Sequence, residues 1–313
     1  MDLLEISKNN SKKNEPLYIK LLSLFSVVRG YNIFLIVIAQ YLASVFIFSP
    51  QKSLKTVLID LNLYFIVLAT ICVVAAGYII NNFYDTSSDK INKPIKSKID
   101  AIVSQKIKLR IYFLLNFIGA CFGFLVSWRA AFFFSVYIFL IWLYSHKLKR
   151  YPLTGLISVA VLEILPFFAI FVYYKNFSEL IFTHAAYLFF ILLIRQLVKD
   201  LERIKGDFIQ NYQTIAVKYG ENFTKILISI LAVLTLNPIN FLLKYPEIGG
   251  MRFYFYGSVL LLVLFVIGLW FSKTKKRYAY LHLVLKFLIL AGVFSLALID
   301  YDIIIRRLLQ ITA

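Results

Sequence analysis

Two short windows of the sequence carry acidic and amide side chains at the same spacing. In each window three polar or charged residues stand at offsets 0, 3 and 7, which share one face of a helix. They are Asn82, Asp85 and Asp89 in window 81–89, and Asp200, Arg203 and Asp207 in window 199–207. Two such faces opposing each other would gather carboxylates around one ligand.

The chemistry that these side chains favour is the binding of a divalent cation together with a phosphate. Mg²⁺ takes a few carboxylate oxygens and completes its shell with water and substrate phosphate oxygens. Ordinary solvated loop acids are the alternative interpretation. The repeated spacing favours a functional role for these side chains. The position of both windows at the ends of apolar segments, where carboxylates are costly, favours it as well.

Long apolar segments position both windows. The chain has 313 residues, of which 61% are hydrophobic and 16% are charged, with a mean hydropathy of +0.79. This composition excludes a soluble globule and a disordered chain. A helix that spans a bilayer needs ~20 mostly apolar residues. Nine runs meet this requirement: 31–48, 57–80, 109–127, 131–145, 152–174, 180–198, 223–243, 253–271 and 279–299.

These runs predict an all-α, polytopic membrane protein with nine transmembrane helices. The runs are continuously apolar, which excludes the alternating strands of a β-barrel. We expect a polar tail over 1–16 and a single transmembrane domain over 17–313. The first helix should be retained, because no cleavage site follows a short apolar core.

The basic residues predict an orientation. With the N-terminus in the cytoplasm, 23 of the 34 Lys and Arg residues lie in inside segments and 8 in outside segments. We therefore expect an integral protein of the cytoplasmic (inner) membrane, with both windows on its cytoplasmic side. The net charge of +18 is spread over several inside segments and forms no single patch, so a nucleic-acid partner is not expected.

Four segments of the chain resemble motifs of the UbiA superfamily of intramembrane prenyltransferases. They occur in the same order and on the corresponding predicted helices. The segments are Arg29 to Asn32, similar to R-P-x-N; Asn81 to Lys96, similar to N-D-x-x-D-x-x-x-D-x-x-N-x-P-x-R; Tyr144 to Arg150, similar to Y-S-x-x-L-K-R; and Lys199 to Asp207, similar to K-D-x-E-D-x-x-G-D.

The chain departs from the family pattern at four positions. Gly30 stands where the family has Pro, and Lys96 where it has Arg. Asn82 and Arg203 replace acids; Asn82 still offers a carbonyl oxygen to a metal, whereas a guanidinium has no acceptor. Arg203 would contact a diphosphate directly. The neighbouring Glu202 is an alternative carboxylate, although it points ~100° away on a regular helix.

The resemblance implies a bundle of nine helices around a central cavity. It also implies transfer of a polyprenyl group from an allylic diphosphate donor to a polar or lipid acceptor, with Mg²⁺ as cofactor. The implied catalytic and metal-binding carboxylates are Asp85, Asp89, Asp200 and Asp207, with Asn82 as a further metal ligand. The implied diphosphate-binding residues are Arg29, Asn32, Lys96, Tyr144, Lys149 and Arg203.

Two further charges lie well inside apolar runs. Glu163 is near the middle of the fifth run and Lys286 is in the ninth. An ionisable residue inside a membrane is by default a functional hypothesis. We expect Glu163 to line the acceptor pocket or to act as a base for an acceptor hydroxyl. A protonated glutamic acid that is bonded to a neighbouring helix is the alternative.

The resemblance also bears on the acceptor. The form of window 199–207 is most similar to digeranylgeranylglyceryl phosphate synthases and homogentisate-type enzymes. It favours geranylgeranylglycerol phosphate as acceptor, in ether-lipid synthesis. An aromatic acceptor of the quinone or homogentisate type is one alternative. A non-catalytic transporter or scaffold is another, although transport sites lie near the membrane midplane and both windows lie at its edge.

Overall fold

The computed structural model describes residues 16–299, which form a bundle of α-helices without β-strands. Residues 1–15, almost all of the predicted polar tail, and residues 300–313 lie outside the described range. The helices are α1 (Leu17–Val27), α2 (Gly30–Ala43), α3 (Leu54–Leu58), α4 (Leu61–Tyr84), α5 (Thr86–Asn92), α6 (Pro94–Asp100), α7 (Gln105–Val126), α8 (Trp128–His146), α9 (Pro152–Tyr174), α10 (Glu179–Ile209), α11 (Ile215–Leu243), α12 (Arg252–Trp270) and α13 (Lys275–Ser295).

Shorter helical turns extend or join these helices. A π-helical turn, Ser44–Phe48, extends α2, and 3-10 turns cover Leu148–Arg150, Pro246–Met251 and Leu296–Leu298. Within the described range nine helices are long and apolar enough to cross a membrane, which confirms the predicted number. They are α2, α4 and α7 to α13.

Two helices form the centre of the bundle. The most apolar stretches of α4 and α10 are 61% and 50% buried, whereas those of the other seven spans are 17–39% buried. Window 81–89 begins in the last turn of α4, and window 199–207 lies in the last three turns of α10. The two central helices therefore carry both windows to the same end of the bundle.

The two windows differ in local structure. Helix α10 continues unbroken through window 199–207, as the spacing predicted. Window 81–89 is divided, because α4 ends at Tyr84 and α5 begins at Thr86. The prediction that Asn82, Asp85 and Asp89 occupy one continuous helix is therefore wrong.

Two buried side chains pair with backbone carbonyls of α9, as an apolar solvent favours. Pro166 interrupts α9 and has no N–H, so it leaves the carbonyl of Leu162 without its helical donor. The buried Tyr137 hydroxyl donates to that carbonyl at 3.0 Å. The buried Gln40 amide donates to the Pro166 carbonyl at 2.9 Å. These bonds join α2, α8 and α9 into one rigid wall beside α4.

Candidate active site

One glutamine joins the two windows. Gln210 follows the last residue of α10, and its amide Nε2 donates to the Tyr84 carbonyl at 2.6 Å. Its Oε1 accepts from the Ser88 backbone N–H at 2.7 Å. A continuous helix would join these two backbone groups to each other, so the inserted amide satisfies both ends of the break between α4 and α5. Window 81–89 is thereby fixed against the end of α10.

Asp85 lies at this break and is held by two further segments. Lys149, in the 3-10 turn after α8, donates to the Asp85 carboxylate at 2.6 Å, and the Tyr212 hydroxyl donates at 3.0 Å. Burial alone would raise the pKa of the Asp85 carboxyl, but Lys149 and Tyr212 together hold it below its usual value. Asp85 is therefore an anion at neutral pH, and Lys149, which was predicted to bind the diphosphate, forms an ion pair with it.

The remaining carboxylates are less fully paired. The Asp200 and Asp207 side chains are buried, and they accept from Gln196 at 2.8 Å and from the Ser88 hydroxyl at 3.4 Å. In the part of the chain that the structure describes, the Asp89 carboxylate has no hydrogen-bond donor. Carboxylate oxygens with few donors are available to a cation.

Positive charges lie among these carboxylates. The charge of Arg203 acts on both Asp85 and Asp207, and Lys199 acts on Asp200. The Nε of Arg203 is buried without a hydrogen-bond partner in the described residues. A buried donor of this kind is costly unless a ligand satisfies it. Arg203 is thus suited to contact an anion. This agrees with the expectation that an arginine in place of the family's acid would contact a diphosphate directly.

Lys93 and Arg29 extend the cationic side of the site. Burial lowers the pKa of the Lys93 ammonium to about 6, and the nearby Arg203 and Arg29 add to this effect. The Arg29 guanidinium lies over the ring of Tyr78, 5.0 Å from its centroid. Asn32, one turn further along α2, donates to the Tyr78 hydroxyl at 3.4 Å. The motif at the start of α2 is therefore anchored on the central helix α4.

The backbone at Arg29 and the side chain that packs on Gly30 are both unusual. Arg29 has a φ of 51°, a left-handed conformation that is strained for a residue other than glycine and is often found at functional sites. The ring of Phe25 packs over Gly30, where a Cβ atom would lie 2.0 Å from the ring carbon Cε2. The proline of the family pattern would meet the same ring. Gly30 thus leaves room for the exposed Phe25 ring, which a larger residue would displace.

Asn82 and Lys96 lie in a separate hydrogen-bond network. The buried Asp100 carboxylate accepts from Asn82 at 2.9 Å, from Lys96 at 2.5 Å and from Ser26 at 2.8 Å. The buried Lys108 donates to the Asn82 amide oxygen at 2.9 Å. Both amide atoms of Asn82 are therefore already bonded. The network ties α1, α4, α6 and α7 together, and it gives these two residues a structural task that the spacing did not indicate.

Tyr144 and Glu163 lie on the inner walls of the bundle. The Tyr144 side chain is buried, and the charges of Asp85 and Asp200 act on its hydroxyl, which places it beside the carboxylates. Glu163 forms an ion pair with Arg195 of α10. Glu163 is thus the counter-ion of a buried arginine. The bond to a neighbouring helix that the alternative interpretation predicted is present, with Arg195 as the partner.

Sequence reasoning missed several residues of this region. Tyr212, Gln210 and Lys93 contact or adjoin the two windows, and Arg195 pairs with Glu163. Lys93 lies inside a motif segment, so its position offered a signal. Gln210 and Tyr212 follow the second window by only a few residues, but no spacing rule marks a side chain that repairs a helix break.

The acidic side chains of the two windows are of the kind that binds magnesium. Within residues 16–299, no three acidic, histidine or cysteine side chains converge closely enough to hold a metal ion by themselves. Mg²⁺ does not require such a cluster, since it is usually held by one or two carboxylates, waters and substrate phosphates. The four aspartates supply hard oxygen ligands from both windows. The residues present therefore fit Mg²⁺ together with a phosphate ligand.

Gly206 permits the close contact between the windows and yields a prediction. A Cβ atom at this position would lie 2.1 Å from the side-chain nitrogen of Asn92, which is buried on α5 and bonded to Ser88. Gly206→Ala should push α5, with Asp89, away from α10, and overpacking of this kind costs about 1–3 kcal/mol. We expect a lower unfolding temperature and about ten-fold slower turnover.

The matched control for this change is Gly257→Ala. A Cβ atom at Gly257, on the exposed surface of α12, meets nothing within 4 Å. Thermal unfolding and turnover of the two variants in the same detergent would be compared. If Gly206→Ala behaves as Gly257→Ala does, the close approach of α5 and α10 is not what holds the windows together.

Comparisons with known proteins agree with this geometry. The model of the UbiA prenyltransferase family matches residues 22–298. The chain is 28% identical to the digeranylgeranylglyceryl phosphate synthase of Methanobrevibacter smithii, over 75% of this chain and 86% of that protein. It is 30% identical to the synthase of the same name from Sulfurisphaera tokodaii, over 69% and 78% of the two chains.

Solved structures share the fold. A structure from work on digeranylgeranylglyceryl phosphate synthase in membranes superposes with a TM-score of 0.66 at 18% identity, covering 88% of this chain and 97% of that one. A UbiA homologue from Archaeoglobus fulgidus, bound to GPP and Mg²⁺, superposes with a TM-score of 0.60 at 12% identity, covering 88% and 99%. At these identities the likeness concerns the arrangement of the helices.

Proposed function

Because this chain belongs to the UbiA prenyltransferase family, we propose that the site at the end of α4 and α10 transfers a polyprenyl group from an allylic diphosphate to a lipid acceptor. The observation that carries the proposal is the meeting of four aspartates with Lys93, Lys199 and Arg203 at one end of the two most buried helices. This mixture of charges suits a metal-bound diphosphate.

Aspartates of both windows would supply the protein ligands of the metal, one or two to each ion. They are Asp85, Asp89, Asp200 and Asp207, and the A. fulgidus homologue bound to GPP and Mg²⁺ supports a diphosphate and magnesium as their ligands. When bound, Mg²⁺ neutralises negative charge on the leaving diphosphate. Asn82 is a weaker candidate, because its amide oxygen already accepts from Lys108.

The cations bind the diphosphate directly. Arg203 offers its buried Nε, and Lys93 and Lys199 add charge around the same carboxylates. In the transfer the acceptor hydroxyl oxygen forms a new bond to the allylic carbon, and the bond from that carbon to the diphosphate breaks. The hydroxyl proton passes to the departing diphosphate. The protein contributes by position and by charge, which supply most of the stabilisation in such reactions.

The acceptor we propose is geranylgeranylglyceryl phosphate, with geranylgeranyl diphosphate as donor. Relatives that bear the name digeranylgeranylglyceryl phosphate synthase support this choice, and they match two thirds or more of this chain. An aromatic acceptor is a second candidate of the same family, but no contact in the structure favours it. The excess of basic residues at the windows' end supports a position of this end on the cytoplasmic side of the membrane.

The proposal is tested with purified protein in detergent and radiolabelled geranylgeranyl diphosphate. Geranylgeranylglyceryl phosphate, a hydroxybenzoate and homogentisate are offered separately, with Mg²⁺ or with EDTA. We expect diphosphate release and a lipid product whose mass equals acceptor plus one geranylgeranyl group, only with Mg²⁺ and the glyceryl phosphate. Transfer to an aromatic acceptor alone would replace the ether-lipid assignment, and binding of the donor without any transfer would favour a scaffold.

Lys93 predicts a pH dependence of donor binding. Because its pKa lies at about 6 against an ordinary 10.5, the free protein holds this side chain largely neutral at pH 7 and above. A bound diphosphate favours the charged ammonium. Donor binding should therefore take up a proton at a pH between about 6 and 10.5, and donor affinity should weaken as the pH rises through this range.

Calorimetry in buffers of different ionisation enthalpy measures this proton uptake. Lys93→Met should take up fewer protons than the wild type at pH 8. Lys90→Met, an exposed lysine one turn earlier on α5, serves as the matched control and should behave as the wild type does. Equal uptake by wild type and Lys93→Met would show that Lys93 does not charge when the donor binds.

A further inference from the structure

A row of cations continues from the candidate active site into the bundle. Arg195, Lys199 and Arg203 stand four residues apart on α10, so they follow one face of the helix. Two turns separate Arg203 from Arg195, which is about 12 Å along the axis. The diphosphate contacts proposed above lie at the Arg203 end of this row. The other end needs a separate explanation.

Two more cations from other helices face the inner end of this row. The charges of three arginines act on both Lys286 of α13 and Lys199 of α10: Arg203 is the largest of them at Lys199, and Arg195 and Arg29 precede it at Lys286. Lys286 lies one turn beyond His282, whose ring bonds Glu202 of α10 at 3.0 Å, so this face of α13 is fixed against α10. The inner cluster is therefore formed by Arg29, Arg195, Lys199 and Lys286, from three helices.

The carboxylates nearby balance this cluster only in part. Glu163 is paired with Arg195. Glu202 accepts a hydrogen bond from His282 and its charge acts on Lys286, and the charge of Asp200 acts on Lys199. Three carboxylates thus oppose the four cations. Within residues 16–299, Arg29, Lys199 and Lys286 form no ion pair; Lys199 donates only to the neutral Gln196, at 3.0 Å. Arg195 also keeps a buried Nε without a hydrogen-bond partner. Unpaired cations so close together inside a membrane are unfavourable unless an anion joins them.

We propose that Arg29, Arg195, Lys199 and Lys286 form a second anion subsite, which binds the phosphate of the lipid acceptor. The proposal rests on the proposed function, because it assigns the acceptor's head group to that same site. Lys286 is exposed on the side of the bundle while its charge acts on the interior, so a lipid head group entering from the membrane can reach it. A dianionic phosphate supplies the charge that the inner cluster lacks.

The spacing suits two separate anions. A glycerol phosphate bound at the inner cluster would extend its hydroxyl toward Arg203, along the eight residues from Arg195 to Arg203, which rise about 12 Å. The diphosphate of the donor stays with the aspartates at the end of α10. Two phosphates bound to the same cations would repel each other, whereas here Arg203 and Lys93 lie at the donor, Arg195 and Lys286 lie at the acceptor, and Lys199 lies between the two.

The kinetic test compares acceptors with and without a phosphate. Geranylgeranylglyceryl phosphate and geranylgeranylglycerol are offered to wild type, Lys286→Gln and Lys286→Arg. We expect Lys286→Gln to raise the KM for the phosphorylated acceptor about ten-fold, since a bond to a charged group is lost. The KM for the donor and for geranylgeranylglycerol should stay within two-fold. Lys286→Arg should restore most of the preference for phosphate.

The control variant is Lys276→Gln, an exposed lysine on the same helix. It should leave all of these constants unchanged. An equal change of donor and acceptor KM in Lys286→Gln, or an unchanged preference for the phosphorylated acceptor, would overturn the subsite.

A binding measurement separates this proposal from the proposed function. Native mass spectrometry in detergent counts geranylgeranylglyceryl phosphate and geranylgeranylglycerol molecules bound to wild type and Lys286→Gln. If no acceptor is prenylated but the phosphorylated lipid still binds in preference and loses that preference in Lys286→Gln, the proposed function fails and the subsite stands. If turnover occurs but the lipid binds equally to both proteins, the subsite fails and the function stands.

Discussion

Asp200→Asn is expected to lower the rate of diphosphate release about 100-fold or more. Asp200 is buried, and its one side-chain donor in the described residues is Gln196, so its carboxylate is free to meet a cation. Asparagine keeps the size of the side chain and removes the charge. The change should therefore reach the chemistry without disturbing the helix.

Single-turnover release of labelled diphosphate, with donor and acceptor both saturating, measures this loss. Glu247→Gln is the matched control, because Glu247 is exposed in the Pro246–Met251 turn, far along the chain from both windows. A shift of the Mg²⁺ dependence to higher concentration in Asp200→Asn would identify a lost metal contact. Release within a few-fold of the wild-type rate would remove Asp200 from the site.

The second window could be predicted well from the sequence because one regular helix carries it. Asp200, Arg203 and Asp207 needed only helical periodicity to be placed on a common face, and α10 provides it without a break. The nine spans followed from length and hydropathy in the same way. Properties that depend on neighbours along the chain are thus readable from spacing alone.

The first window shows where spacing fails. Asn82 stands at the expected offset, yet its amide bonds Asp100 and Lys108, which come from two later helices. The break at Asp85 depends on Gln210, which is more than a hundred residues further along the chain. Such contacts arise from the packing of helices, and a single sequence does not specify that packing. Asn82 therefore has partners that its offset alone did not reveal.

The charged residues inside the spans illustrate the same limit. Glu163 was singled out because an acid in an apolar run is unusual, but its role depended on a partner in another span. That partner, Arg195, lies within the continuous helix α10 and not in a loop after it. Once the two are paired, the cations that remain unpaired become apparent. The pairing seen in the structure thus shows which intramembrane cations still lack a counter-ion, and these cations are candidates for binding an anion.

Arg203→Ala is expected to lower kcat/KM for the donor about 100-fold. Arg203 is the chain's main departure from the family pattern, and a guanidinium binds a phosphate by paired hydrogen bonds, which are stronger than neutral ones. Its buried Nε lacks a partner in the described residues, so the bond to the donor would satisfy it. Arg203→Lys should keep the charge but lose the paired hydrogen bonds, so its kcat/KM for the donor should lie between those of the wild type and Arg203→Ala.

Arg203→Asp distinguishes a specialised residue from a damaged motif. It restores the acid of the family pattern, and it would add a fifth carboxylate to the four aspartates already present. If Arg203 binds the diphosphate, this variant should be slower than Arg203→Ala, because it repels the donor. Lys205→Ala, an exposed lysine two residues further on α10, is the control. Faster turnover by Arg203→Asp than by the wild type would mean that the arginine replaces a metal ligand at the expense of catalysis.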